Sequence, residues 1–231
     1  MLFDLRARGR RRTVKIVYVF LALLMGGGLI FFGIGGATSG GLLDAFKGGG
    51  GGGSGTDVLQ KTVVRMERQV RLRPRDPAAW AALARAQYQV AGVGDNYDTT
   101  TGTYTAKGKQ ALIPVERSWE RYLALNPPKP NADLASLMVQ ALGPQGLNHA
   151  DKAVAAQEIV IAARPASAGL YLQLAAFAYQ AGQIRKGDLS SQKAVELAPK
   201  DQRTALRDQL KQLRQAAVTP SAQTQTTPGS G

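Results

Sequence analysis

Apolar positions fall along this chain in two patterns. Residues 14–34 (VKIVYVFLALLMGGGLIFFGI) form a block with no charged side chain after Lys15. From residue 56 onward the apolar residues instead recur at helical spacing, separated by Pro, Gly and Asn signals. At about 1.5 Å per residue the block would span roughly 31 Å as a helix, against a hydrocarbon core of about 30 Å. It has no polar face, as a helix of a soluble core would. It therefore predicts a transmembrane helix over 14–36.

The second pattern predicts a series of amphipathic helices. Residues 56–72 carry Leu59, Val63, Met66 and Val70 on one face, with Thr56 as a candidate N-cap. Lys61, Arg65 and Arg68 lie on the other side, either a solvated face or a contact for anionic headgroups or an acidic partner. In 76–92, Asp76 caps, Pro77 occupies the first helical position, and Trp80, Leu83, Ala84 and Tyr88 follow. Residues 93–106 (VGDNYDTTTGTYTA) interrupt as a small hairpin or ordered loop, with Thr101-Gly102 at its tip. Leu112, Val115, Trp119, Tyr122 and Leu123 mark a helix over 107–125, in which Pro114 signals a kink or the true start. Helices over 131–142 and 150–163 follow, joined by Gly143-Pro144-Gln145-Gly146, and then 169–182 and 188–197. Residues 201–217 place Leu206, Leu210 and Leu213 on one face of a last helix with an otherwise polar surface.

The stretch 167–200 shows an internal order. Tyr171, Leu174, Ala175, Ala178 and Tyr179 share one helix, Gly182 ends it, Ala194 lies on the next, and Pro199 terminates 34 residues after Pro165. This resembles the tetratricopeptide repeat, a helix-turn-helix unit of 34 residues. The resemblance covers about 56–217, is strongest in 168–199, fair in 76–92 and weaker between. It implies an all-α, right-handed solenoid of helical hairpins, each burying its apolar face on the next, with 201–217 as the solvating cap.

The family's peptide groove is lined by the first helix of each pair. Carried onto this chain, its positions are Ala81, Arg85, Tyr88 and Gln89 in the first unit, and Leu172, Ala176, Tyr179 and Gln180 in the last. Tyr88 and Tyr179 fall at equivalent positions. Two rigid amphipathic rings, an Arg and two amides suit an extended peptide, while ordinary packing between helices is an equal reading of the tyrosines. The family's carboxylate clamp needs Lys and Asn where this chain has Ala81 and Arg85, so capture of chaperone C-termini is not implied.

Charge orients the layout. The 231 residues carry 29 Lys and Arg against 16 Asp and Glu, a formal charge of +13. Arg6, Arg8, Arg10, Arg11, Arg12 and Lys15 flank the apolar block on its N-terminal side. The positive-inside tendency then keeps residues 1–13 cytoplasmic and exports the remainder from an inner or plasma membrane. A signal peptide cut near Gly36-Ala37 is the alternative, though secretory apolar cores run only about 7–15 residues. Residues 37–55 are Gly-rich and predict a flexible tether, of which the 18 residues 38–55 reach roughly 20–25 Å on average. Leu42, Leu43 and Phe46 within it suit interfacial contact or a short docking segment. The tail 218–231 has no charge and few apolar residues, a composition that predicts disorder.

Chemistry is sparse. Cysteine is absent and His149 is the single histidine, placed by the sequence at an exposed helix start. No G-x-S-x-G elbow or phosphate-binding glycine loop occurs. Asp95 and Asp98 do not follow the EF-hand spacing. The expectation is no enzyme, no metal and no cofactor, and, with few aromatics, no nucleic acid. What the residues predict is a single-pass membrane protein displaying an interaction scaffold for a protein or extended peptide; its layout is similar to that of bitopic repeat proteins that accompany secretion or envelope-assembly machinery. A structural, self-assembling envelope component and a secreted binder stand as alternatives.

Overall fold

The computed structural model describes residues 54–219. The predicted basic segment, membrane helix, most of the tether and the tail beyond 219 lie outside the described residues. Eight helices occupy this part of the chain. They are α1 (Ser54–Leu72), α2 (Pro77–Ala91), α3 (Ala106–Ala124), α4 (Ala132–Leu142), α5 (Ala150–Ala163), α6 (Ala168–Gln180), α7 (Ile184–Leu197) and α8 (Arg203–Val218). Among the described residues none is long and apolar enough to cross a membrane. The body is all-α, with one two-stranded hairpin, β1 (Tyr97–Asp98) and β2 (Thr103–Tyr104), paired Tyr97 to Tyr104 and Asp98 to Thr103.

Local chemistry sets the helix starts. The Asp76 carboxylate accepts from the Ala78 N–H at 2.9 Å ahead of Pro77, and Thr105, Asn131 and Ser167 cap α3, α4 and α6 through their side-chain oxygens. Each cap satisfies one orphan donor of a first turn. Three boundaries differ from the sequence reading. α1 begins at Ser54, so Thr56 lies inside the helix rather than capping it. α3 begins at Ala106 and runs through Pro114, which is therefore not its start. Proline removes the N–H that the Gln110 carbonyl would have bonded, but Gln110 is exposed and water can serve it. α7 begins at Ile184, because Gly182, at φ +70°, completes the turn at once and Gly187 is taken into the helix.

Each helix packs against those next to it in sequence, and α2 also touches α4 as α6 touches α8. Val63 and Val70 of α1 meet Ala79, Leu83 and Ala86 of α2. The largest apolar cluster runs from α2 through α6 and includes Leu112, Val115, Leu134, Met138, Leu142 and Val154, all fully buried. A third cluster joins Ala175 and Tyr179 of α6 to Ala194 of α7 and Leu210 of α8. Two buried polar side chains stitch neighbours: Ser118 of α3 donates to Gln87 of α2 at 2.7 Å, and the Gln157 amide of α5 donates to the Leu170 carbonyl of α6 at 2.9 Å.

The longer turn between α4 and α5 closes on itself. The Leu147 and His149 N–H groups cap the Ala141 and Leu142 carbonyls at 2.8 Å, answering orphan acceptors at the end of α4. A side chain at Gly146 would overlap the Ala141 carbonyl, so the turn closes only with glycine there.

Candidate functional site

The residues the repeat pattern assigns to a groove sit on α2 and α6, and the structure does not treat them alike. Arg85 and Gln89 are exposed on α2. Tyr88 is half-buried; its hydroxyl donates to Gln140 of α4 at 2.9 Å, and burial raises its pKa above the ordinary phenol value. It is thus the residue that ties the first helix of one hairpin to the first helix of the next.

Tyr179 departs from this equivalence. It is 4% exposed, and its hydroxyl turns away from α4, donating to Asp188 at 2.8 Å and lying 3.0 Å from the Ser191 hydroxyl, both on α7. Leu172 packs into the same cluster beside Leu210, and Ala176 is half-buried. Gln180 is exposed and donates to Asn148 at 2.5 Å, reaching the α4–α5 turn. Of the predicted pair of tyrosines, then, one borders the surface and the other is core.

The reason lies in two glycines. Gly187 of α7 faces the Tyr179 ring, and a Cβ there would overlap it, so the absent side chain makes the slot the ring fills. In α3 the glycine near the helix start is Gly108, and there the Asn96 carbonyl of the inserted segment occupies the space. Gly187→Ala sets a helix-propensity gain of about 0.5–1 kcal/mol against an overpacking cost of about 1–3 kcal/mol. The expected outcome is net destabilisation in denaturant unfolding, and an unchanged or higher midpoint would contradict the slot.

The insertion between α2 and α3 is ordered by its own side chains. Asp98 accepts from the Thr101 hydroxyl and the Thr100 N–H, both at 2.8 Å, which holds its carboxyl below the usual range. Asp95 pairs with Lys107 at 3.4 Å. Tyr97 and Tyr104 meet edge to face at 5.2 Å, and Tyr104 is buried beside Tyr88 with its pKa raised, chiefly by desolvation. The Tyr104 N–H donates to the Gln145 carbonyl at 3.4 Å, so the insertion touches the α4–α5 turn as well.

Two polar clusters were not anticipated as such. Glu116 of α3 is buried, accepting from Lys152 Nζ at 2.7 Å with His149 Nδ1 also at 2.7 Å; Lys152 further contacts Glu120 at 2.6 Å. His149 does start α5 and is exposed, as expected, but it is engaged rather than free. The signal was present: Glu116 interrupts the apolar stripe of Leu112, Val115 and Trp119. The second cluster is Tyr179, Asp188, Ser191 and Arg214, the last donating to Asp188 at 2.8 Å.

Asp188 is held below the usual carboxylate range, first by the Tyr179 hydroxyl and then by Arg214. A depressed folded-state value contributes stability above the ordinary carboxylate pKa and loses it as pH falls through the folded value. Stability is therefore expected to decline below about pH 4. Asp98 shares the same window, so the measurement is the difference between the parent and Asp188→Asn. Parallel acid-unfolding curves for the two proteins would contradict the assignment.

Comparison with protein-family models, with curated proteins and with solved structures finds no match.

Proposed function

We propose that this chain is a membrane-anchored, tetratricopeptide-like scaffold that binds a protein or an extended peptide on the extracytoplasmic side. The observation that carries the reading is the order of packing: helices pair with sequence neighbours, while α2 reaches α4 and α6 reaches α8. Hairpins stacked in that way form a solenoid with one helix of each pair along a common face. Exposed Arg85, Gln89 and Gln180, with the half-buried Tyr88, are the contact residues on that face. The apolar block at 14–34 and its basic flank supply the anchor and its orientation.

Photo-crosslinking in cells tests this. A probe at residues 85, 89 or 180 is expected to trap one common partner through a short segment, whereas a probe at Arg117, exposed on α3, traps none of it. Equal trapping from Arg117, or capture of this chain alone from every position, would count against a peptide-binding face. Tyr179 is a poor probe site because it is buried.

A further inference from the structure

Helix α1 is covered on one side only. Val63 and Val70 bury against Ala79, Leu83 and Ala86 of α2, and no other described helix covers the opposite side. Val58, Lys61, Arg65, Arg68 and Leu72 fall there at alternating steps of three and four residues, which makes one stripe along the helix. Val58 is 57% exposed and Leu72 76%, with Val64 on the flank at 49%. Three of the six large apolar side chains left exposed among the described residues therefore sit on this one helix.

The cations on this side are not neutralised by the protein. Lys61, Arg65, Arg68 and Arg71 are exposed, and none pairs with a carboxylate among the described residues. The carboxylates of the helix itself, Asp57 and Glu67, lie off the stripe. An uncovered face that mixes aliphatic side chains with unpaired cations matches a lipid interface. There the aliphatic groups enter the boundary between headgroups and acyl chains, while the basic groups meet phosphate.

Position in the chain selects the occupant. α1 opens at Ser54, at the end of the Gly-rich stretch, and the apolar block at 14–34 comes just before that stretch. An average reach of roughly 20–25 Å presents a bilayer to α1 at an effective concentration on the order of millimolar, against which a dilute soluble partner must compete. The chain supplies no acidic counterpart of its own: residues 1–53 hold two acidic side chains, Asp4 and Asp44, and 218–231 hold none. A second copy, at a formal +13, is repelled. We infer that α1 lies along an anionic lipid surface, with Val58, Val64 and Leu72 entering the interface and Lys61, Arg65 and Arg68 meeting headgroup phosphates. The inference rests on the anchored reading of residues 14–34 and adds to it the face that the domain turns to the membrane.

The chain has no cysteine, so Leu72→Cys gives a single attachment point for a polarity-sensitive fluorophore. It lies about 21 Å along α1 from Val58, away from the tethered end. The full-length protein is reconstituted into phosphatidylcholine vesicles with or without phosphatidylglycerol, both containing a nitroxide-bearing lipid as quencher. With phosphatidylglycerol the label is expected to shift to the blue and to be quenched, and salt reverses both. Lys61→Glu/Arg65→Glu/Arg68→Glu lowers the ratio of docked to free α1 on the order of a hundredfold, at about fivefold per cation. A label at Gln212→Cys, exposed on α8, stays unquenched. Circular dichroism checks the helix content of every variant. The proposal is overturned if the residue-72 label stays unquenched, or is quenched equally without anionic lipid, after the triple substitution, or at residue 212. It is overturned as well if self-association or added polyglutamate shifts the label where phosphatidylglycerol does not. Resistance to alkaline extraction reads the anchor separately. A protein that washes out yet is quenched on phosphatidylglycerol vesicles keeps the face and loses the anchor, and an integrated protein with an unquenched label does the reverse.

Discussion

Leu134→Ala is expected to lower the unfolding free energy by about 2–5 kcal/mol, enough to threaten a domain whose whole margin is about 5–15 kcal/mol. Leu134 is 0% exposed in the first turn of α4, within the cluster that reaches from α2 to α6. Its loss removes transfer free energy and leaves a cavity that α4, only 11 residues long, fills poorly. The caps beside it remain: Asn131 still accepts from the N–H of residue 134, at 2.8 Å in the parent, and the Asn131 N–H still donates to the Tyr122 hydroxyl at 2.7 Å. The change is thus one of packing. Denaturant unfolding followed by far-UV circular dichroism should show a lower midpoint. An unshifted midpoint would mean that α4 is not the centre of the apolar core. The exposed Ile113→Ala, at the surface of α3, is the comparison and should shift little.

Lys152→Met should cost about 1–3 kcal/mol, because it leaves the Glu116 carboxylate, 9% exposed, without its ammonium partner. The figure stays below that of a fully buried pair because Lys152 is itself 41% exposed and water can reach the site. Hydrogen bonding to Glu116, and then to Glu120, raises the Lys152 pKa above its ordinary value. A raised cation contributes fully below its ordinary pKa and loses that contribution only as pH climbs through the folded value, so the titration of Lys152 itself adds no pH dependence near neutrality. Adding Glu116→Gln to Lys152→Met should recover part of the stability, since a neutral amide is cheaper to bury than a lone carboxylate. A double-mutant cycle showing no coupling between the two positions would refute the interaction.

Helix identity was legible because it rests on local rules. Asp76-Pro77 announced α2, Gly182 ended α6, and the Leu112, Val115 and Trp119 stripe declared the buried side of α3. In the 93–106 insertion the same rules marked Thr101-Gly102 between β-formers but left a hairpin and an ordered loop open, and the structure forms the hairpin. The boundary errors at Thr56 and the start of α7 arose where a local signal was outweighed, while the 107–125 reading of α3 held to within one residue and only the alternative that Pro114 starts it fails. Pro114 tolerates a helix interior because the carbonyl it orphans is at an exposed residue.

The exposure of the candidate groove residues was legible only in part. The positions carried over from the repeat resemblance put Arg85, Gln89 and Gln180 where the helices are exposed, but they did not distinguish Tyr88 from Tyr179, because the difference is made by residues distant in sequence. Gly187 opens a slot for one ring, while Asn96 closes the corresponding space at Gly108.

By itself, then, the sequence determined which segments are helical, where most of them begin and end, and which faces are apolar, because caps, glycine turns and 3.6-residue periodicity act within a few residues. Only the tertiary structure decided that Glu116 is buried between Lys152 and His149, that Tyr179 is a core residue bound to Asp188, and that the side of α1 bearing Val58 and Leu72 stays uncovered among the described residues. Those outcomes depend on which helices meet and how closely. That is set by side-chain volumes and backbone carbonyls brought together from separate parts of the chain, which no local pattern encodes.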